Sequence, residues 1–309
     1  MINSLLGATE LGLLYAFMAL GVYITFRILD FPDLTVDGSF TTGGAIAAVM
    51  ITHGYSPWLS TLAALAGGMA AGMCTGLLHT KGKINGLLSG ILMMIALYSI
   101  NLRIMGKPNV SLMGENTLFT SINPLLVMPF AVLLLKVLMD LFLRTDLGLA
   151  LRATGDNARM IRSFGVNTDN TTILGISLAN GLVALSGALV TQYSTFADSS
   201  MGIGMIVIGL ASVIIGEAIF GTGSVFRATL AVVLGSIVYR IVVALALRVE
   251  WLDASDLKLI TAIIVIVALV FPSVQRFMKL KSTARKRTAE LAEQALKRKK
   301  GGSLDVKAR

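Results

Sequence analysis

The feature that most limits what this chain can become is a succession of long apolar runs, each close to the length of a bilayer crossing. A hydrocarbon core about 30 Å thick takes about 20 apolar helical residues to span. Runs of this kind lie at 5–27, 37–53, 57–78, 85–105, 124–143, 171–195, 203–220, 225–247 and 257–273. Turn-forming or charged breaks separate them, among them Asp30-Phe31-Pro32-Asp33, Gly54 to Pro57, Lys81-Gly82-Lys83, the polar stretches 106–123 and 145–170, and Gly221 to Ser224. The runs are continuous rather than alternating, which predicts helices and not the strands of a barrel. The expected fold is all-α, a polytopic transmembrane bundle of roughly eight to ten helices. The runs at 37–53 and 203–220 are short and Gly-rich and are candidates for broken or re-entrant helices.

Composition supports this and locates the charge. Hydrophobic residues make up 55% of the chain and charged residues 14%, against about 25% charged in an average soluble domain. The net charge of +9 sits in the last part of the sequence, where residues 276–309 hold 12 basic and three acidic side chains. Residues 1–275 hold 14 of each sign. The organisation expected is a membrane domain, 1–275, followed by a basic tail, 276–309. Basic residues gathered in a terminal tail are not the basic folded face of a nucleic-acid-binding domain. The single cysteine, Cys74, excludes a disulfide scaffold. The start of the chain lacks a basic n-region, so a cleavable signal peptide is not expected.

Basic loops mark the cytoplasmic side. Lys81 and Lys83, then Arg144, Arg152, Arg159 and Arg162, then the tail all fall on one side if the intervening runs cross the membrane. The C-terminal tail is then cytoplasmic, and the N-terminus lies outside if the run at 37–53 crosses fully. Gly68, Gly72 and Gly76 recur every fourth residue, the spacing that lets two helix backbones approach closely in lipid. That face suits a contact within the chain or one between subunits. Asp37-Gly38-Ser39 is echoed by Asp198-Ser199-Ser200, as the halves of an inverted repeat would place them.

Two polar regions carry the functional expectations. In 145–170, Asp156 or Asn157 suits an N-cap, Ala158 to Ser163 a short helix, and Gly165 its C-terminal stop. Met160, Ile161 and Phe164 form an apolar face flanked by Arg159 and Arg162, fit for lipid or for a groove on a partner. The second region holds Asp33, Thr35, Asp37, Ser39 and Thr41 where the first run gives way to the second. Ionisable groups at such a break either line a substrate path or cap the following helix, with Asp37 or Thr35 as the cap. Asn180 suits an interhelical hydrogen bond or a place on that path. Glu217 suits a pair with Arg227 or a partner contact. Lys136 and Asp140, four apart, are expected to neutralise one another. His53 and His79 lie far apart, so no metal site is expected, and no catalytic constellation of acid, base and nucleophile is apparent.

The loop also resembles a known one. Leu147, Gly148, Ala150, Arg152, Ala153, Gly155 and Asn157 resemble the cytoplasmic coupling loop of ABC-importer permeases, in the class that carries branched-chain amino acids and ribose. The runs Leu34-Thr35-Val36-Asp37-Gly38-Ser39-Phe40 and Ile214 to Gly221 resemble the subgroup linked to tryptophan and tyrosine import. The resemblance implies a permease that works as two copies, with a separate ATP-binding cassette ATPase docked on the coupling loop. It also implies an extracytoplasmic binding protein that delivers a small solute, with aromatic amino acids favoured. Arg152, Gly155, Asn157, Arg159, Met160, Ile161, Arg162, Phe164, Gly165 and Glu217 are then candidates for the ATPase-coupling surface. No Gly-x-x-x-x-Gly-Lys-Ser/Thr loop occurs in the sequence, so ATP is expected to be hydrolysed by the partner and no cofactor by this chain. An ion-coupled secondary transporter is the alternative, though the runs hold few of the carboxylates and histidines such pumps use.

Overall fold

The computed structural model describes residues 2–121 and 124–246, with single helical positions at 259, 262, 263, 266 and 270. The rest of the apolar run at 257–273, and the tail, lie outside the described residues. Helix α1 (Ile2–Val22) passes directly into a π-helical turn, Tyr23–Ile28. There follow α2 (Thr35–Thr52), α3 (Pro57–Thr80), α4 (Gly86–Met105), β1 (Asn109–Ser111) and α5 (Leu118–Ser121). The chain continues with α6 (Pro124–Phe142), α7 (Asp146–Ser163), α8 (Thr168–Ser194), β2 (Phe196–Asp198), α9 (Met205–Phe220) and α10 (Val225–Ala246). Local sequence sets the ends. Ser56 accepts the Leu59 N–H and Pro57 opens α3, Asn85 caps α4, and Gly106 closes α4 in the left-handed region.

Among the described residues six helices are long and apolar enough to cross a membrane: α1 with its π turn, α3, α4, α6, α8 and α10. The side chains of α6 show that lipid is the solvent. Its exposed residues include Leu126, Phe130, Leu133, Leu134, Leu138 and Leu141, whereas Lys136 and Asp140 are buried. A helix in water presents the opposite arrangement. Lys136 Nζ lies 2.5 Å from Asp140 Oδ2 and 3.0 Å from the centroid of the Phe226 ring. The Thr229 hydroxyl donates to Asp140 Oδ1 at 2.6 Å, which fastens α10 to this pair.

At the centre α8 packs against α1, α2 and α3. The Gly68, Gly72 and Gly76 face is an intramolecular contact. A Cβ on Gly72 would stand 2.5 Å from the Ile176 carbonyl oxygen, 2.8 Å from Asn180 Cβ and 2.9 Å from Ser177 Cα. The polar stretch 106–123 gives β1, which pairs antiparallel with β2 in the register Asn109↔Asp198, Val110↔Ala197 and Ser111↔Phe196. This two-stranded ribbon joins the α4–α5 and α8–α9 connections at the end of the bundle away from α7.

Candidate functional site

The helices α2 and α9 are not among the six crossings, and they begin inside the bundle. The Ser39 hydroxyl donates to Asn180 Oδ1 at 2.7 Å, and Asn180 Nδ2 donates to Asp33 Oδ2 at 2.6 Å. Asn180 is 12 residues from the start of α8, a rise of about 18 Å within a helix about 40 Å long. The start of α2 is therefore inside the bundle and not at the surface. There Asp33 Oδ1 accepts the Thr35 N–H at 2.9 Å, and the Thr35 and Thr75 hydroxyls are 2.8 Å apart. Asp33, Thr35, Ser39 and Asn180 are all buried.

Asp37, one turn further on, caps a different helix from the one it lies in. Its Oδ2 accepts the Gly204 N–H at 2.9 Å and its Oδ1 the Ile206 N–H at 2.8 Å, both at the start of α9. Thr41 Oγ1 accepts the Gly202 N–H at 3.1 Å. The expectation that Asp37 or Thr35 caps the second helix is thus corrected. Asp33 supplies that acceptor, and Asp37 satisfies the free N–H groups of α9, which have no water to turn to at this depth. Both helices start at one junction, and both starts are supplied by carboxylates four residues apart.

At the other end lies α7, which bends at Asn157 (φ −154°, ψ 88°). Asn157 Oδ1 accepts the Met160 N–H at 3.0 Å, so the part from Ala158 to Ser163 is a separate capped turn of helix. Gly165, at φ 86°, stops it. Phe164 is 71% and Met160 57% exposed, Arg159 is exposed and Ile161 is half-buried. Arg162 turns back to the bundle, with Nε donating to Thr168 Oγ1 at 2.5 Å and its guanidinium 3.7 Å from Asp169. Arg152 is exposed, and Gly155 lies so close to the π turn that a Cβ there would strike the Ile28 carbonyl and stand 2.9 Å from Leu29 Cα.

Glu217 does not pair with Arg227. Its Oε1 accepts from Arg27 Nε at 3.0 Å. Sequence reasoning missed Arg27, although it is the only Lys or Arg before Lys81. The pair borders a cavity of about 970 Å³ between the π turn, α7 and the ends of α9 and α10, lined also by Tyr23, Asp30, Arg152 and Asp156.

A bundle with six membrane-length helices, two further helices that begin at one interior junction, and one exposed capped helix at an end is the architecture of a polytopic membrane protein. Residues 4–270 match the family described as branched-chain amino acid transport system, permease component, and the chain belongs to that family of ABC-transporter permeases. It is 49% identical, over 82% of its length and 86% of the relative's, to a tyrosine transport system permease protein of Clostridioides difficile. An uncharacterized protein of Rickettsia prowazekii is 35% identical over 86% of this chain and 97% of its own. An autoinducer 2 import system permease of Salmonella choleraesuis is 28% identical over 72% and 66%. Among solved structures, a chain of PsaBC from Streptococcus pneumoniae, in complex with Fab, aligns with a TM-score of 0.54 at 13% identity. That alignment covers 90% of this chain and 94% of that one, a likeness of fold.

Proposed function

We propose that this chain is the membrane-spanning subunit of an ATP-driven importer of an amino acid, with tyrosine or a similar aromatic solute as cargo. Two copies enclose the path, an extracytoplasmic binding protein delivers the solute at the β1–β2 end, and a separate ATPase docks at α7. The observation that carries the reading is the capped helix Ala158–Ser163. It presents Met160 and Phe164 to solvent beyond the bundle, with Arg159 beside them. Exposed apolar side chains on a rigid, end-capped helix fit a groove on a partner better than water. Arg152, Gly155 and Glu217 lie behind that surface, where its movement would enter the bundle.

The substrate path is proposed to pass the junction of α2 and α9. Asp37 and Thr41 stand at its wall, and Asp33, Thr35, Ser39 and Asn180 hold the junction from within. Specificity for an aromatic amino acid draws on the Clostridioides difficile relative and on nothing in the polar cluster itself. The side bearing Lys81, Lys83 and α7 is assigned to the cytoplasm by the positive-inside rule. The basic tail is assigned to the same side, within reach of anionic lipid.

The test is reconstitution of the chain with the ATPase and the binding protein proposed as its partners. ATP-dependent uptake of tyrosine into vesicles is expected, and the double variant Phe164→Asp with Arg159→Glu is expected to lose the ATPase on co-purification. Uptake driven by a proton gradient with no ATPase present would refute the assignment. A binding-protein screen over tyrosine, tryptophan and the branched-chain amino acids identifies the cargo.

A further inference from the structure

Helix α9 packs closely on α10, where a Cβ on Gly216 would meet the Ala231 carbonyl, and it also makes a charged contact toward each end. Its start hangs on the Asp37 carboxylate. Its last turn meets the π turn of α1 through Glu217 and Arg27, beside the cavity of about 970 Å³ where side chains do not fill the space. The π turn is itself in backbone contact with α7, because Gly155 leaves no room between the two chains. A π turn carries wide-ring hydrogen bonds, here continued by Leu29 N–H to Ile24 O at 3.0 Å and Phe31 N–H to Thr25 O at 2.9 Å. Such turns are local departures from the α-helical ladder and recur at functional positions.

Taken in order, α7 bears on the π turn through Gly155, the π turn holds Arg27, Arg27 holds Glu217, and Glu217 is the end of α9. We propose that the Arg27–Glu217 ion pair is the joint that passes movement of the α7 surface to α9. Arg27 and Glu217 are thereby positioning residues for transport. The inference rests on the reading of α7 as the ATPase contact. The Arg27 side chain is 54% and the Glu217 side chain 17% exposed, so one partner reaches water while the other is largely covered. The pair bridges two elements beside an open cavity, and the transport ratio is read on variants that still assemble. The physical warrant for transmission is a measured coupling between the two residues.

The experiment uses the full chain assembled with its ATPase and binding protein in vesicles. The cargo is tyrosine or whichever amino acid the binding-protein screen returns. It measures solute taken up per ATP hydrolysed for wild type, Arg27→Glu, Glu217→Arg and the double reversal. Each single reversal is expected to lower that ratio at least about fivefold, the lower bound of an ordinary coupling energy, while the complex still co-purifies. The double reversal is expected to return it to within about twofold of wild type, as a restored pair should. Where a reversal does not accumulate in the membrane, Arg27→Gln and Glu217→Gln are compared instead and are expected to lower the ratio in the same direction. Single variants with the wild-type ratio, or a double reversal as impaired as either single one, would overturn the inference while leaving the importer reading intact. A wild-type complex with no ATP-dependent uptake would overturn both, and it is seen before any variant is compared.

Discussion

Gly72→Ala is the smallest change that tests how α3 and α8 are held together. The added methyl would sit 2.8 Å from Asn180 Cβ and 2.9 Å from Ser177 Cα, and against the Ile176 carbonyl. Carbon atoms rest about 3.5–4.0 Å apart, so the helices must part by about 0.5–1 Å, and the obstacle includes backbone that no rotamer change removes. Overpacking of this kind costs about 1–3 kcal/mol. The same displacement pulls Asn180 from Asp33 and from Ser39, now at 2.6 and 2.7 Å. Interhelical hydrogen bonds in membranes average about 0.6 kcal/mol each, so the total is about 2–4 kcal/mol. At about 2–4 °C per kcal/mol for a chain of this size, the thermal midpoint in detergent falls by about 5–15 °C. The control is Gly67→Ala on the same helix. Its methyl would meet only the tip of Ile46, with the next atom at 3.8 Å. Ile46 turns aside, and the gain in helix propensity over Gly, up to about 1 kcal/mol, offsets the crowding. Fluorescence-detected size-exclusion after a heating series reads both variants. A Gly72→Ala midpoint within about 1 °C of wild type, or a Gly67→Ala loss equal to it, would refute the packing argument.

Two further outcomes follow from the buried charges. Asp37→Asn turns an amide NH₂ toward one of the two α9 N–H groups, leaving donor against donor. The expected loss is about 1–3 kcal/mol, with a matching fall in uptake, and hydrogen exchange at Gly204 and Ile206 should rise; unchanged exchange would mean that Asp37 does not hold α9. Lys136→Met strands Asp140 as a buried charge and is expected to cost about 3–5 kcal/mol. Lys136→Met with Asp140→Leu recovers most of it, since Thr229 still bonds to the Val225 and Phe226 carbonyls; a double variant no more stable than the single would contradict this in a thermal melt.

Much of the bundle is legible in the sequence because its determinants are local. Each apolar run at 5–27, 57–78, 85–105, 124–143, 171–195 and 225–247 contains most of a helix long enough to cross, since length and continuity are set by the residues themselves. The bend at Asn157 and the stop at Gly165 are likewise local, one a side-chain cap and the other a positive φ. What the sequence conceals is set across the chain. Glu217 has Arg227 ten residues away, yet its partner is Arg27, 190 residues distant, because the turn at Gly221 (φ 77°) separates α9 from α10 while the packing of α1 brings the π turn alongside. The depth of a break is equally hidden. Asp30 to Asp33 reads as a surface loop, and the contacts of Asp33 with Asn180 and of Thr35 with Thr75 show that it ends inside the bundle.

That depth explains why two acids persist where the chain has no cation to offer them. Among the described residues neither Asp33 nor Asp37 has a Lys, Arg or His partner. Each instead faces N–H groups at the start of a helix, Asp33 that of α2 and Asp37 those of α9. A helix that begins in hydrocarbon leaves its first N–H groups without water, and its positive dipole end favours an anion. The acids and these helices therefore require one another: either alone would be a costly defect. The arrangement has a mechanical consequence. Because Asp37 belongs to α2 and its acceptor role to α9, α9 cannot shift along its axis without uncovering a carboxylate inside the bundle. Movement of α9 along its axis therefore carries α2 with it or breaks this contact.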